Sequence, residues 1–220
     1  MSDFEITKQN RVARLPDRGA YDKATVYPII DEALICHVGL VQDGQPVVIP
    51  TLHARQGDTL LLHGATTSRL LKYAQSGQPI CATMTLIDGL VLARSVFHHS
   101  MNYRSVVLFG QGHLIEEADE KLRAMQTFTE RLLPGRWDDA RRPNEKEIKA
   151  TSVVAIPIEL ASAKVRTGPP GDDEEDLALP VWSGVLPLKQ QFLPPQDAPN
   201  LAGNIPVPKY VADYLNSRNG

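Results

Sequence analysis

Residues 59–77, TLLLHGATTSRLLKYAQSG, form the stretch that decides the fold, because three local signals follow one another there. Residues 59–62 are an apolar, strand-like run, and residues 63–65, His-Gly-Ala, turn the chain. Thr66 or Thr67 is placed to cap a helix that follows at once. The stretch therefore predicts a strand, a tight turn and a short helix.

The predicted helix has a basic, hydroxyl-rich beginning. Its first turn holds Ser68 and Arg69, and Gly77 is placed to end it. A helix N-terminus offers unpaired N–H groups and the positive end of the helix dipole, so hydroxyls and a guanidinium at this place suit a phosphate. A plain helix cap with Arg69 in solvent explains the same residues. Because such caps are common, the stretch taken alone favours that structural interpretation.

Short strands surround this stretch on both sides. Apolar runs separated by turn residues predict strands at 35–42, 46–54, 59–62, 80–87, 90–97 and 103–115. Asp43–Gly44 and Asp88–Gly89 are typical of tight hairpin turns. Gly110 and Gly112, inside the last strand, indicate a bulge or a bend. Strands joined mainly by hairpins predict a mainly β protein, an antiparallel β-barrel with flanking helices.

Three further helices are expected around the barrel. Asp22 can cap a short helix that contains Pro28. Residues 117–133 repeat apolar side chains at three- and four-residue steps, which is the pattern of an amphipathic helix. Asn144 and Glu147 have the spacing of a capping box.

The chain divides into a leader, a barrel domain and an extension. Residues 1–21 are polar, residues 22–167 contain the predicted barrel, and residues 168–220 begin with an acidic loop, DDEED at 172–176. The extension is rich in proline and is expected to pack on the barrel or on a partner subunit.

Composition limits the classes of function. The net charge is −3, with acidic and basic residues in balance, so no nucleic-acid partner is predicted. No apolar run reaches the length of a membrane span or of a signal peptide, and no membrane partner is predicted. Cys36 and Cys81 are isolated, which favours reduced thiols in a cytoplasmic protein.

The histidines do not form a recognisable metal or catalytic site. The six histidines lack metal-ligand spacing, and His98 and His99 would point to opposite faces of a strand. The sequence contains no GxSxG, Walker or GxGxxG motif. We therefore predict no metal and assign no catalytic residue.

Two blocks together carry a resemblance to a known family. HGATTSR at 63–69 and NYRSVVLFG at 102–110, with GQPVVIPTLHA at 44–54, resemble the pyridoxamine-phosphate-oxidase-related flavoproteins. The similarity covers residues 30–167 and is greatest to the flavin-nucleotide-binding branch, which includes the nitroimidazole-resistance proteins. It implies an FMN-binding split β-barrel, present as a homodimer with FMN at the subunit interface.

The resemblance also implies a set of cofactor-binding positions. Ser68 and Arg69 match the pair that holds the FMN phosphate, whereas Leu70 stands where a lysine follows in the oxidase itself. Pro50 and Thr51 match the strand that borders the flavin ring. The full set is Pro50, Thr51, His63, Gly64, Ala65, Ser68, Arg69, Ser100, Asn102, Arg104, Ser105 and Trp182.

Three functional hypotheses follow from the resemblance. The first is an FMN-dependent oxidoreductase that passes hydride or electrons from NAD(P)H to a small acceptor. The second is a flavin-binding or flavin-storing protein without turnover. The third is a haem-handling relative, with His63 or His98 as ligand, and some relatives bind a deazaflavin instead. The C-terminal arginine-containing motif of true pyridoxamine-phosphate oxidases is missing, which disfavours vitamin B6 oxidation.

Overall fold

The computed structural model describes residues 3–203 and 205–219. Within them the strands are β1 (Gly19–Ala20), β2 (Ile35–Gln42), β3 (Gln45–Gln56), β4 (Thr59–Ala65), β5 (Pro79–Leu92), β6 (Ser100–Gln111), β7 (His113–Leu114), β8 (Thr151–Pro157), β9 (Leu160–Arg166) and β10 (Gly184–Pro187). The α-helices are α1 (Lys23–Glu32), α2 (Arg69–Ala74), α3 (Ala118–Leu132), α4 (Arg136–Asp139), α5 (Glu145–Ala150) and α6 (Lys209–Asn219). No helix of the described ranges combines the length and the apolar character that crossing a membrane requires.

All strand pairs are antiparallel, and their order is β1-β9-β6-β5-β2-β3-β4-β8-β7, with β10 beside β5. The long strand β3 links two parts of this sheet. Its first half pairs with β2 as far as Leu52, and its second half pairs with β4 from His53 onward. The result is a split β-barrel with flanking helices, which confirms the predicted fold class.

Two apolar cores stabilise the barrel. The larger lies inside it and contains the buried faces of α1 and α2 together with inward residues of most strands, such as Leu62, Met84 and Leu108. The smaller lies under α3, where Phe128 packs near Leu61 and Val153. Alternate residues of β4 therefore face different cores, as expected for a strand with both faces covered.

Several local predictions are confirmed. The Asp22 carboxylate accepts a hydrogen bond from the Thr25 N–H at 2.7 Å and so caps α1. Asp43 and Gly44 both have positive φ, as a two-residue hairpin turn requires. Asn144 forms the capping box of α5 with Glu147.

The prediction of a hairpin at Asp88–Gly89 is wrong. β5 runs straight through these residues, and the ladder with β6 only shifts its register between Ile87 and Gly89. Strand β10 explains the glycine, because a Cβ at Gly89 would lie 2.9 Å from the carbonyl oxygen of Leu186. The Asp-Gly pair thus forms a bulge against a strand from the far end of the chain.

The prediction for Gly110 and Gly112 is confirmed. β6 ends at Gln111, and the chain passes to β7, which pairs with β8 in the other part of the sheet. A Cβ at Gly112 would lie 2.7 Å from the Ala74 carbonyl oxygen, and one at Gly110 would lie 2.8 Å from Ile156 Cγ2. Only glycine allows this close crossing between the two parts of the barrel.

Both ends of the chain pack on the barrel. In the leader, Phe4 is buried in the larger core and the Asn10 side chain donates to the Ala161 carbonyl oxygen at 3.1 Å. In the extension, β10 pairs with β5, and Phe192 N donates to Asn219 Oδ1 at 3.0 Å. The acidic loop begins with Asp172, which binds Arg94, two residues after the end of β5.

Candidate functional site

The site begins where β3 and β4 separate. Their ladder ends at the pair His53–Leu62. Beyond it β3 pairs with β2, and β4 keeps only its other neighbour, β8, with which it pairs from Thr59 to Ala65. Pro50 and Thr51 therefore lie on one side of the split, and residues 63–65 lie on the other. Among the described residues, the facing edges of these two segments have no ladder partner, so backbone groups there can meet a ligand.

The helix after β4 begins one residue later than a threonine cap would place it. Ser68 is the N-cap, and its Oγ accepts from the Leu71 N–H at 3.5 Å, so the predicted caps Thr66 and Thr67 are wrong. Both threonines are exposed. The prediction of a turn at residues 63–65 is also wrong, because β4 continues to Ala65. The helix ends at Ala74, before Gly77.

Arg69 is the first residue of α2 and its side chain is exposed. Across residues 3–203 and 205–219, no hydrogen bond or ion pair engages its guanidinium. Leu70, which follows it, is buried in the larger core and cannot reach a ligand. Because α2 has only six residues, its dipole is small, and the positive charge at its N-terminus comes mainly from the Arg69 side chain.

His63 lies beside the split, near the C-terminal end of β4. Its ring is half-buried and packs on Phe128, with ring centroids 4.1 Å apart. Burial lowers the pKa of His63, so the imidazole is neutral at pH 7. Its Nδ1 is buried without a hydrogen-bond partner in the described part of the chain.

The predicted residues on β6 are engaged with other parts of the protein. The Asn102 side chain accepts from the Arg166 guanidinium and donates to the Gly168 carbonyl oxygen. Arg104 forms two-pronged ion pairs with Glu32 and Asp88, and these hydrogen bonds raise its pKa. These contacts give both side chains structural roles within the chain.

The remaining predicted residues lie apart. Ser105 Oγ donates to the Lys164 carbonyl oxygen at 3.2 Å, and Ser100 is exposed at the beginning of β6. Trp182 is 66% exposed and lies just before β10.

The chain brings only part of the predicted set together. Pro50, Thr51, residues 63–65, Ser68 and Arg69 flank the split, whereas the β6 residues are separated from β3 by β5 and β2. Trp182 lies in the extension. The two halves of the set therefore do not meet within one chain.

A basic cavity of about 700 Å³ was not predicted from the sequence. Its charged lining comes from Arg14 and Arg18 of the leader and from Arg166 at the end of β9, and Ser100 lies at its edge. The cluster of arginines in the leader is visible in the sequence, but Arg166 joins it only through the β1–β9 pairing. No group of three or more His, Cys, Asp or Glu side chains in the described residues is arranged to hold a metal ion.

The sequence and the fold both match known proteins. A family model described as pyridoxamine 5'-phosphate oxidase matches residues 22–165. The flavocytochrome Anf3 from Azotobacter vinelandii is 41% identical with a TM-score of 0.89, over 94% of this chain and 96% of that one. The FAD and heme binding protein from Mycobacterium smegmatis is 35% identical with a TM-score of 0.86, over 92% and 98%.

More distant similarity extends to a third solved structure. A putative 5-nitroimidazole antibiotic resistance protein from Bacteroides thetaiotaomicron is 25% identical with a TM-score of 0.57, over 67% of this chain and 86% of that one. No curated protein matches the sequence.

Proposed function

The chain belongs to the pyridoxamine 5'-phosphate oxidase family, and from that premise we propose that it is a flavin-binding oxidoreductase. The observation that carries the proposal is its similarity, over more than nine tenths of its length, to a flavocytochrome and to an FAD- and heme-binding protein. The unpaired guanidinium beside the split supports it independently, because a flavin nucleotide carries a phosphate.

The residues at the split fit such a phosphate. Arg69 has no internal partner, and the exposed hydroxyls of Thr66 and Thr67 precede it. A guanidinium recognises phosphate by two parallel hydrogen bonds, which orients the ligand as well as attracting it. Since Leu70 is buried, Arg69 supplies the charge that a following lysine would share.

We favour FAD over the expected FMN. The M. smegmatis structure, at 35% identity, is described as an FAD-binding protein. Both nucleotides share the phosphate next to the ribityl chain, so Ser68 and Arg69 would serve either one.

When bound, the flavin would supply hydride and electron transfer. The protein would supply position and a dry environment: Pro50 and Thr51 would border the ring, and the neutral His63 would add no charge next to it. We propose reduced nicotinamide as the electron donor and a small molecule as the acceptor. Both cysteines are free, which supports a reducing, cytoplasmic setting.

The functional unit we propose is a homodimer with the flavin at the subunit interface. The outer face of β2 and β3 exposes Ile35, Val41 and Val48, which point to the same side because Val48 pairs with Gly39. An apolar sheet face of this kind marks an interaction surface.

An absorption spectrum of the purified protein tests the proposal. We expect flavin bands, FAD as the released nucleotide by mass spectrometry, and bleaching of the bands by NADPH or NADH without oxygen. Release of FMN would show that the bound nucleotide is FMN and not FAD. Bound flavin that neither NADPH nor NADH reduces would favour a flavin-storing protein without turnover. A colourless protein that takes up neither FAD nor FMN would refute the proposal.

Haem is a second candidate ligand, because the two most similar structures described above are a flavocytochrome and a heme-binding protein. Two histidines could ligate the haem iron. His63 is neutral and unpaired, and His98 directs Nε2 to the Asp173 carboxylate at 3.0 Å, the kind of contact that orients a metal-binding histidine. His53 does not fit, because it is fully buried and its Nε2 donates to the Ile30 carbonyl oxygen.

Haem titration of the flavin-loaded protein tests this second candidate. A Soret band that is lost in His63→Ala or in His98→Ala would support haem binding and identify the ligand. Absence of the band in the wild type, or its persistence in both variants, would reject these histidines.

A further inference from the structure

Two arginines of the leader carry charge that the chain does not neutralise. Arg14 is exposed and Arg18 is half-buried, and both line the basic cavity. In the part of the chain that the structure describes, neither arginine takes part in an ion pair. Both guanidiniums are therefore available to carboxylates of another molecule.

Unpaired acids begin at the rim of the same cavity. Gly171 lines the cavity, and the acidic loop at 172–176 follows it directly. The first two acids of the loop are engaged within the chain. Glu174 and Glu175 are exposed, and no ion pair between described residues involves either of them. The surface around the cavity thus presents free charges of both signs.

The two sets of charges do not pair with each other within the chain, because separate contacts hold each segment. Lys164 Nζ donates to the Arg14 carbonyl oxygen at 2.9 Å and fixes the leader to β9. Arg94 donates to the Asp172 carboxylate from its backbone N–H at 2.6 Å and from Nη1 at 2.7 Å, which fixes the acidic loop. Charges held in this way attract a surface of complementary pattern.

Two apolar side chains project at the boundary between the cations and the acids. The turn between β5 and β6 leaves 85% of Val96 and 87% of Phe97 exposed. Phe97 lines the cavity with the two arginines, and the next residue, His98, contacts Asp173 of the acidic loop at 3.0 Å. The Phe97 N–H donates to Ser95 Oγ at 3.3 Å, which holds the turn. An exposed aromatic side chain on a fixed turn, close to arginines, is typical of a protein–protein contact.

This arrangement is complementary to a second copy of itself. In a contact between identical chains related by a two-fold axis, each surface meets its own counterpart rotated by half a turn. When the axis passes through the apolar turn, the arginines of one copy face the acids of the other, and the same contact occurs twice. The apolar side chains then lie at the centre and the charges at the rim, as in protein interfaces generally.

A uniformly anionic partner fits the same surface less well. A nucleic acid or an anionic membrane would place negative charge over Glu174 and Glu175 as well as over the arginines. The whole chain also has a net charge of −3, which repels such a partner.

We infer that the surface formed by Arg14, Arg18, Val96, Phe97 and residues 172–176, called here the charged face, joins two copies of the chain. It is separate from the apolar face of β2 and β3, so together the two contacts give a tetramer, and the charged face alone gives a dimer. The contact does not depend on bound flavin. Because charges dominate it, the contact forms at low ionic strength and is lost as salt screens them.

Light scattering of the full chain at two salt concentrations tests the contact. At about 0.01 M salt, where the screening length is about 30 Å, we expect twice the mass found at about 1 M, where it is about 3 Å. Phe97→Asp should show the lower mass at both concentrations. Leu193→Asp, at a position of the extension that is 73% exposed, is the matched control and should behave as the wild type does. A wild-type mass that does not change with salt, or a Phe97 variant that associates normally, would overturn the inference.

Charge reversal tests which groups meet across the contact. Arg14→Glu/Arg18→Glu, and separately Glu174→Arg/Glu175→Arg, should each raise the dissociation constant of the contact about tenfold or more, because like charges then face each other. The variant with all four changes should associate at low salt as the wild type does, since every pair is restored with its charges exchanged. Loss of association in this variant too would contradict the pairing. Binding of a DNA duplex or of phosphatidylserine vesicles, without self-association, would show a polyanion as the partner and refute the inference.

Val48→Asp separates this contact from the proposed dimer of β2 and β3. We expect the low-salt mass to fall by half in Val48→Asp and in Phe97→Asp, and the variant with both changes to be a monomer. If Val48→Asp alone lowers the mass, the charged face is not an interface, and the dimer of β2 and β3 stands. If Phe97→Asp alone lowers it, the charged face stands, and the dimer of β2 and β3 is wrong.

Discussion

The carboxylate of Asp172 accepts two hydrogen bonds from Arg94, one from the backbone N–H at 2.6 Å and one from Nη1 at 2.7 Å. This contact fixes the acidic loop at 172–176 to Arg94, two residues after the end of β5. The Asp172 side chain is 3% exposed, and Arg94 also donates to Ser183 Oγ, so the contact joins the loop, the barrel and the segment before β10.

Asp172→Asn is expected to loosen this junction. Burial alone would raise the pKa of Asp172, but the hydrogen bonds from Arg94 outweigh it and lower the pKa. A carboxylate with a lowered pKa contributes stability above its unfolded value of about 3.8, and this contribution is lost as the pH falls through the folded value. At pH 7 the variant should melt at a lower temperature and be cut faster by protease between residues 168 and 184. Glu175→Gln, in the exposed part of the same loop, is the control.

Arg69→Ala is expected to weaken flavin binding by about 1.5–3 kcal/mol, the usual contribution of a charge-assisted hydrogen bond. Fluorescence titration of flavin-free protein would measure the change. Lys72→Ala, exposed on the same helix, should bind flavin as the wild type does. Equal affinities in the Arg69 variant and the wild type would place the phosphate elsewhere.

Arg104→Met is expected to change stability and not flavin affinity, because the Arg104 side chain is engaged by Glu32 and Asp88. These ion pairs are partly exposed, so the expected loss in the free energy of unfolding is about 1–2 kcal/mol. Urea unfolding and flavin titration of one preparation would separate the two effects. A large loss of flavin affinity in a variant that remains stable would show that Arg104 belongs to the flavin site.

His53 is expected to make the fold sensitive to mild acid. Burial lowers its pKa from 6.5 to about 4, so the unfolded chain binds a proton more readily than the folded one between these values. Stability is therefore complete above about pH 6.5 and falls by up to about 3 kcal/mol as the pH approaches 4. Urea unfolding at a series of pH values should show this slope, and His53→Asn should flatten it. His113→Asn, at an exposed position, should retain it.

Val48→Asp is expected to disrupt the proposed dimer. Val48 is 64% exposed at the centre of the apolar face of β2 and β3, and a carboxylate buried there without a partner would oppose association. Light scattering should report a monomer for the variant and a dimer for the wild type. Leu132→Asp, exposed on α3, should leave the dimer intact. A wild-type monomer that still binds flavin would contradict an interface site.

Local chemistry made much of the fold predictable. Asp22 and Asn144 cap helices through side-chain hydrogen bonds to residues three positions away, so the sequence alone identifies them. Asp43–Gly44 and Asp88–Gly89 look alike in the sequence, yet one is a turn and the other a bulge. The difference arises from β10, whose position beside Gly89 depends on tertiary pairing.

The candidate site was predictable to a smaller extent for the same reason. Residues 63–69 are contiguous, so the sequence indicated their common position beside the split. The contacts of Arg104 and Asn102 depend on partners 16 to 72 residues away, so no local sequence pattern predicts them. The basic cavity likewise needs Arg166 next to a leader that is about 150 residues earlier in the chain, as the Lys164–Arg14 contact shows.

The late position of β10 in the chain has a consequence for synthesis. The half of β5 that pairs with β10 leaves the ribosome long before residues 184–187 exist, so one edge of it stays open during that time. Open strand edges pair readily with wrong partners, and pairing over long sequence separation is slow. A nascent or truncated chain that stops before Gly184 is therefore expected to depend on chaperones, whereas the finished chain closes its own edge.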